Sequence, residues 1–143
     1  MSSLITNTNP IIDNGSVTPE KPYRSRVPFE KRKKEAARIR LKYPARIPVI
    51  ASTEHSGSSS SSQLLPPLKR EKFLVPETYT IGQLLMAIRK EITLSAETAV
   101  FMFVSDKHTM MPNSARLKDV YAESHNDDGF LYVTCCGENT FGF

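Results

Sequence analysis

Two apolar runs of strand length, at residues 72–75 and 99–104, stand either side of one strongly amphipathic stretch, and that alternation most limits what the chain can fold into. Lys72, Phe73, Leu74 and Val75 make the first run, closed by Pro76. Ile81, Leu84, Leu85 and Ile88 then follow the i, i+3, i+4, i+7 spacing of a helix with one buried stripe. Thr80 and Gln83 stand where a capping box would start that helix. Residues 99–104, AVFMFV, are apolar throughout and bounded by turn-formers, which predicts a strand buried on both faces or nearly so.

The flanking segments extend this pattern. Over residues 28–43, Phe29, Ala36, Ile39 and Tyr43 fall near one helical face. Lys31, Arg32, Lys33, Lys34, Arg38 and Lys42 supply the wet side. Pro28 suits the first turn and Pro44 stops the helix. Residues 47–50, IPVI, read as a short strand, and Pro48 within it points to a sheet edge. Ser114 is placed to cap a helix carrying Leu117, Val120 and Tyr121. Residues 130–135 form a last strand, aromatic and β-branched. The predicted order is α, β, β, α, β, α, β. It suits a β-grasp roll with an extra N-terminal helix, an α+β fold, although periodicity alone permits other α+β arrangements.

At 143 residues the chain has room for one domain with one modest core. Hydrophobic residues at 39% and charged residues at 24% keep it within the ordinary globular range. No apolar run nears the ~20 residues of a membrane-spanning helix, and the first residues lack the pattern of a secretory signal. Membrane association would need a partner, a surface or a covalent lipid. Cys135 and Cys136 are adjacent, a poor geometry for a relaxed disulfide, and there is no CxxC pair or His cluster for zinc. A reducing compartment such as the cytoplasm fits.

Residues 1–22 are polar and punctuated by Pro10, Gly15, Pro19 and Pro22, as in a disordered tail. Residues 52–63 are Ser-rich and read as a flexible loop inserted within a single domain spanning 23–141. His55, His108 and His125 show no arrangement with a thiol that would make a hydrolase, so no enzyme is expected. The net charge of +4 is uneven. Residues 24–46 hold ten Lys and Arg against Glu30 and Glu35, or +8, leaving −4 elsewhere. A basic face of this kind suits an acidic partner.

From residue 28 onward the chain resembles the GABARAP-type autophagy modifiers, which include the microtubule-associated light chains. The strings that carry the likeness are PFEKR at 28–32, IR at 39–40, KYP at 42–44 and RIPVI at 46–50. They continue with FLVP at 73–76, IGQ at 81–83, IRK at 88–90, Phe101, FV at 103–104, DGFLYV at 128–133 and ENTFGF at 138–143. The resemblance implies a ubiquitin-like β-grasp domain with a mixed four-stranded sheet. It also implies a processing site at 142–143, where a cysteine protease removes Phe143 and exposes Gly142 after Phe141. Activating and conjugating enzymes of the ubiquitin style would then join Gly142 to phosphatidylethanolamine, moving the protein from cytoplasm to autophagosome membrane. Glycine suits that position, because without a Cβ it enters a narrow enzyme channel in any backbone conformation. No cofactor, metal or nucleic acid is implied.

The resemblance implies, second, a docking groove for receptor peptides carrying an aromatic residue and, three positions on, an aliphatic one. Such a peptide adds a strand to a sheet edge and drops alternate side chains into pockets. The edge would be residues 72–75. The aromatic pocket would comprise Glu35, Ile39, Pro48, Ile50, Leu74 and Phe130, with Lys72 closing over it. The aliphatic pocket would comprise Phe73, Val75, Pro76, Tyr79, Leu84, Ala87 and Ile88, with Arg89 reaching acidic flanks. Alternation along the strand sends Leu74 opposite to Phe73 and Val75. The family also places Pro48 inside the sheet, against the edge expectation above. Several positions depart from the family pattern: Pro67 and Lys69 replace an acidic pair, Leu84 and Ala87 replace bulkier residues, and Glu91 replaces a basic one. The alternative function is a non-conjugated β-grasp adaptor that binds microtubules or anionic surfaces through the basic N-terminal helix, Lys31, Arg32, Lys33 and Lys34 included.

Overall fold

A computed structural model describes residues 21–53, 62, 63, 65, 68–92, 98–104 and 109–139. Helix α1 is Tyr23–Arg26 and α2 is Phe29–Lys42, followed by strands β1 (Arg46–Thr53), β2 (Ser62–Gln63) and β3 (Lys72–Pro76). Helix α3 (Ile81–Arg89), β4 (Thr98–Val104), β5 (Thr109–Met110), α4 (Leu117–Ser124) and β6 (Leu131–Asn139) complete the order. The sheet runs β3-β1-β6-β4-β5. β1 and β6 are parallel, while β3 on β1 and β4 on β6 are antiparallel. This is the ubiquitin-like β-grasp with its mixed four-strand sheet of β3, β1, β6 and β4. The two-residue strands β2 and β5 are additions that periodicity could not register.

Helices pack on both faces of the sheet. On one, α3 and α4 cover Ile47, Val49, Phe73, Val75, Met102, Val104, Leu131, Val133 and Cys135. On the other, Tyr23 of α1 with Ala36 and Ile39 of α2 cover Ile50, Leu74 and Phe130. Strand pleating explains the partition, since Leu74 turns to one face while Phe73 and Val75 turn to the other. Helix α3 starts as expected: the Thr80 hydroxyl accepts from the Gln83 amide at 3.2 Å, and Gln83 Oε1 accepts from the Thr80 amide at 2.9 Å. Among the described residues, no helix is long and apolar enough to cross a membrane.

Several local expectations need correction. The inward face of α2 is Arg32, Ala36 and Ile39, whereas Phe29 and Tyr43 are partly exposed at its ends. The N-cap of α4 is Arg116 without a side-chain cap, and Ser114 lies in an exposed turn. β4 is not buried on both faces: Met102 and Val104 are buried while Phe101 and Phe103 are half-exposed, because among the described residues no helix covers that end of the second face. Ser52 and Thr53 belong to β1, and Ser62–Gln63 forms β2 on β6, so the serine-rich loop is shorter than 52–63. Positions 54–61, with His55, lie outside the described residues, as do residues 1–20 and His108. Lys21 and Pro22 are described, and Pro22 is the N-cap of α1. β6 continues past Cys136 to Asn139, paired with β4 to its last residue.

Pro48 sits in β1, inside the sheet between β3 and β6. The Ala51 amide donates to the Glu71 carbonyl at 2.8 Å, so by antiparallel alternation the odd-numbered residues of β1 bond to β3. The nitrogen of Pro48 faces β6, where the ladder starts one residue later at Val49↔Leu131. Continuing that register, an ordinary residue at 48 would reach the Gly129 carbonyl. That carbonyl instead accepts from the Tyr121 hydroxyl at 2.6 Å. The proline therefore leaves no acceptor unpaired, and an interior position costs it nothing.

Burial also sets one pH response. The Cys135 thiol is pushed up to about 12 by loss of solvent. The folded chain thus keeps a proton that the unfolded thiol releases near pH 8.5, and stability held below that pH is lost as pH rises toward 12. Burial, aided by Glu35 and Asp128 respectively, raises the Tyr23 and Tyr132 hydroxyls in the same direction. Urea unfolding between pH 8 and 10.5 should show stability falling by up to about 1.4 kcal/mol per pH unit per group. Cys135→Val should flatten the first part of that slope; an unchanged slope would assign the loss elsewhere.

Candidate functional site: an open sheet edge between two pockets

β3 is the terminal strand of the sheet and pairs only with β1 among the described strands. Glu71, Phe73 and Val75 direct their backbone groups to β1, so those of Lys72 and Leu74 point outward. By the same alternation Pro76 puts its missing donor on the open side, which limits the edge to a short stretch.

Above that edge on the α2 side, Ile39, Ile50, Leu74 and Phe130 form a floor in which no residue is more than 5% exposed. Lys72 Nζ lies 2.7 Å from Glu35 Oε2 across this floor. The Tyr23 hydroxyl donates to Glu35 Oε1 at 3.0 Å, and its ring meets Phe130 edge-on at 5.9 Å. Burial and then the Glu35 charge hold the Tyr23 hydroxyl well above its usual range, so it stays a donor. The structure thus gathers Glu35, Ile39, Ile50, Lys72, Leu74 and Phe130, with Pro48 opposite Leu74 in register. Tyr23 is the member that sequence reasoning missed; a lone aromatic beside a proline-rich tail carries no periodicity.

On the α3 side, Phe73, Val75, Leu84 and Ile88 are buried in the main core, and Pro76, Tyr79 and Ala87 remain partly accessible around them. Arg89 is half-buried at the end of α3. Beside the first pocket, Arg26, Lys31, Lys34, Arg38 and Lys72 line a cavity of about 560 Å³ with Glu35 and Glu71.

The basic face must lose one member. Lys31, Lys33 and Lys34 are exposed, but Arg32 is 8% exposed and faces inward. Arg32 pairs with Asp128, which is fully buried and also accepts from the Tyr132 hydroxyl at 2.6 Å and the Phe130 amide at 2.9 Å. Arg32 Nε donates to the Val27 carbonyl at 2.9 Å. Burial lowers the guanidinium pKa, but the hydrogen bonds that Arg32 donates to Tyr132 and Asp128 outweigh it, so Arg32 stays charged. The counter-charge ninety-six positions away is why a helical wheel misplaces this arginine.

Comparison with known proteins fits this architecture. Residues 31–142 match the family described as autophagy protein Atg8, ubiquitin like. Autophagy-related protein 8b of Arabidopsis thaliana is 47% identical over 115 residues, spanning 80% of this chain and 88% of that protein. Autophagy-related protein 8 of Coccidioides immitis is 46% identical over 115 residues, 80% of this chain and 92% of that one. The chain belongs to the Atg8 family. The crystal structure of Trypanosoma brucei ATG8 superposes with a TM-score of 0.72 at 35% identity, covering 87% of this chain and all of that one. As an Atg8 protein it is a ubiquitin-like modifier of autophagy rather than an enzyme, and it works with activating and conjugating enzymes. Phe141, Gly142 and Phe143 lie outside the described residues.

Proposed function

We propose that this Atg8 protein, of the GABARAP type, is trimmed after Gly142, joined there to phosphatidylethanolamine on autophagosomal membranes, and used to recruit receptors by strand addition to β3. Residues 23–141 would form the ubiquitin-like unit, with 142–143 as the processing site. The conjugation step is supported by the family match, which runs through Gly142, and by the aromatic–glycine pair at 141–142. The docking step is supported by the outward backbone of Lys72 and Leu74 between an aromatic-lined floor and an aliphatic one. For a receptor's aromatic ring to reach that floor, the Lys72–Glu35 pair must part. The subfamily rests on the motif strings quoted above.

Gly142→Ala is expected to remain soluble and to lose the membrane-bound adduct completely. Intact mass of the wild-type membrane form should show Phe143 gone and one phosphatidylethanolamine added. Co-sedimentation of Gly142→Ala with membranes at the wild-type level would rule the conjugation step out.

A further inference from the structure

Charge is distributed unevenly along the groove, because its carboxylates are already committed. At the aromatic-pocket end, α2 carries Lys31, Lys34 and Arg38 along one wall of the 560 Å³ cavity. Among the described residues these three have no carboxylate partner. The two acids of that cavity are taken, Glu35 by Lys72 and Glu71 by Arg26. Five cations against two carboxylates leave this end +3.

The α3 side is different. Arg70, just ahead of β3, holds its guanidinium 5.7 Å from the ring centre of Phe73. Glu91, three residues beyond Ile88, grips that guanidinium with both oxygens, Oε2 to Nη2 at 2.9 Å and Oε1 to Nε at 3.3 Å. A two-pronged pair of this kind uses the fork that would otherwise receive a ligand carboxylate. The side chains are 33% and 18% exposed, so an arriving peptide meets this pair at the rim.

Strand alternation says which peptide residue meets it. If the aromatic residue turns toward α2, the next residue turns toward α3, and so does the aliphatic residue three positions on. With the peptide parallel to β3, the aliphatic residue enters the pocket beside Pro76 and Tyr79, and its predecessor by two faces Arg70 and Glu91 at the start of the strand. We infer that Glu91, by holding the Arg70 fork, withdraws that cation from the groove, so that an acidic residue immediately after the aromatic one adds no affinity. This rests on the peptide-docking function proposed above. An acidic side chain after the aromatic would find Arg70 occupied and the Glu91 carboxylate beside it.

The test uses the full chain and two synthetic peptides with an acidic segment, a Trp-x-x-Leu core, and either Lys or Glu directly after the Trp, followed by fluorescence anisotropy. Wild type should bind the two peptides within about twofold of each other, because the Arg70–Glu91 pair is neutral. Glu91→Gln frees Arg70 and should favour the Glu peptide about fivefold, the scale of one partly screened ion pair, and Glu91→Lys should favour it at least as strongly. A wild-type preference for either peptide well beyond twofold, or a Glu91→Gln variant that gains nothing for the Glu peptide, overturns the role of Glu91 while leaving docking intact. Absence of binding by either peptide to protein with a native circular dichroism spectrum overturns docking itself, and the role of Glu91 with it.

Discussion

Asp128→Ala is expected to lower stability by about 3–5 kcal/mol, the range for stripping one partner from a buried ion pair. The carboxylate is fully enclosed and serves Arg32, Tyr132 and the Phe130 amide at once. Removing it leaves a guanidinium inside with the Val27 carbonyl, a distant Tyr132 hydroxyl 3.5 Å away and the face of the Phe29 ring 5.4 Å away, and no counter-charge. For a chain of this length the loss corresponds to a fall in Tm of roughly 10–20 °C. The orphaned charge is the cause, so Arg32→Met combined with Asp128→Asn should recover part of the loss. Thermal unfolding of the single and double variants separates the two explanations. A Tm within about 3 °C of wild type for Asp128→Ala would mean that the pair contributes little.

The second large effect is expected at Phe130. Its ring is 1% exposed and lies between Tyr23 and Tyr132, at centroid distances of 5.9 and 6.4 Å. Phe130→Ala should cost about 3–5 kcal/mol through lost burial and the cavity left behind. It should also weaken receptor-peptide binding beyond what the stability loss explains, because the same ring forms the floor under Lys72 and Glu35. Tyr23→Phe is the contrasting variant: it keeps the ring and loses only the bond to Glu35, with an expected cost of about 1 kcal/mol. Urea unfolding and peptide titration of both variants, at concentrations where each is folded, provide the readout. Wild-type affinity in folded Phe130→Ala would remove this ring from the docking site.

Gly129 shows how closely the same corner is built. It holds φ at +97°, and a Cβ there would sit 2.9 Å from the Ala36 Cβ of α2. The turn between α4 and β6 therefore admits helix α2 only with glycine at this position.

Much of the scaffold was legible in local pattern. Ile81, Leu84 and Ile88 announced α3 and Thr80 with Gln83 its start, because helix periodicity and capping are properties of near neighbours. The outward and inward alternation of Phe73, Leu74 and Val75 followed from pleating alone. Other positions depended on partners far along the chain. Arg32 looks like one more cation of a wet face until Asp128 closes over it. Pro48 looks like an edge residue until the register of β6 shows that its nitrogen meets no waiting acceptor. Ser52, Thr53, Ser62 and Gln63 look like linker until β6 offers its backbone to them.

By itself, then, the sequence determined the α+β order, the core-facing stripe of α3, the family strings and the glycine that those strings place ahead of Phe143. Tertiary structure alone decided which cations are enclosed or matched by carboxylates, where the proline of β1 sits without cost, and that Tyr23 joins the aromatic floor. The division has one physical cause. Periodicity and capping are written in residues a few positions apart, whereas burial of charge and the pairing of strands depend on groups brought together from opposite ends of the chain.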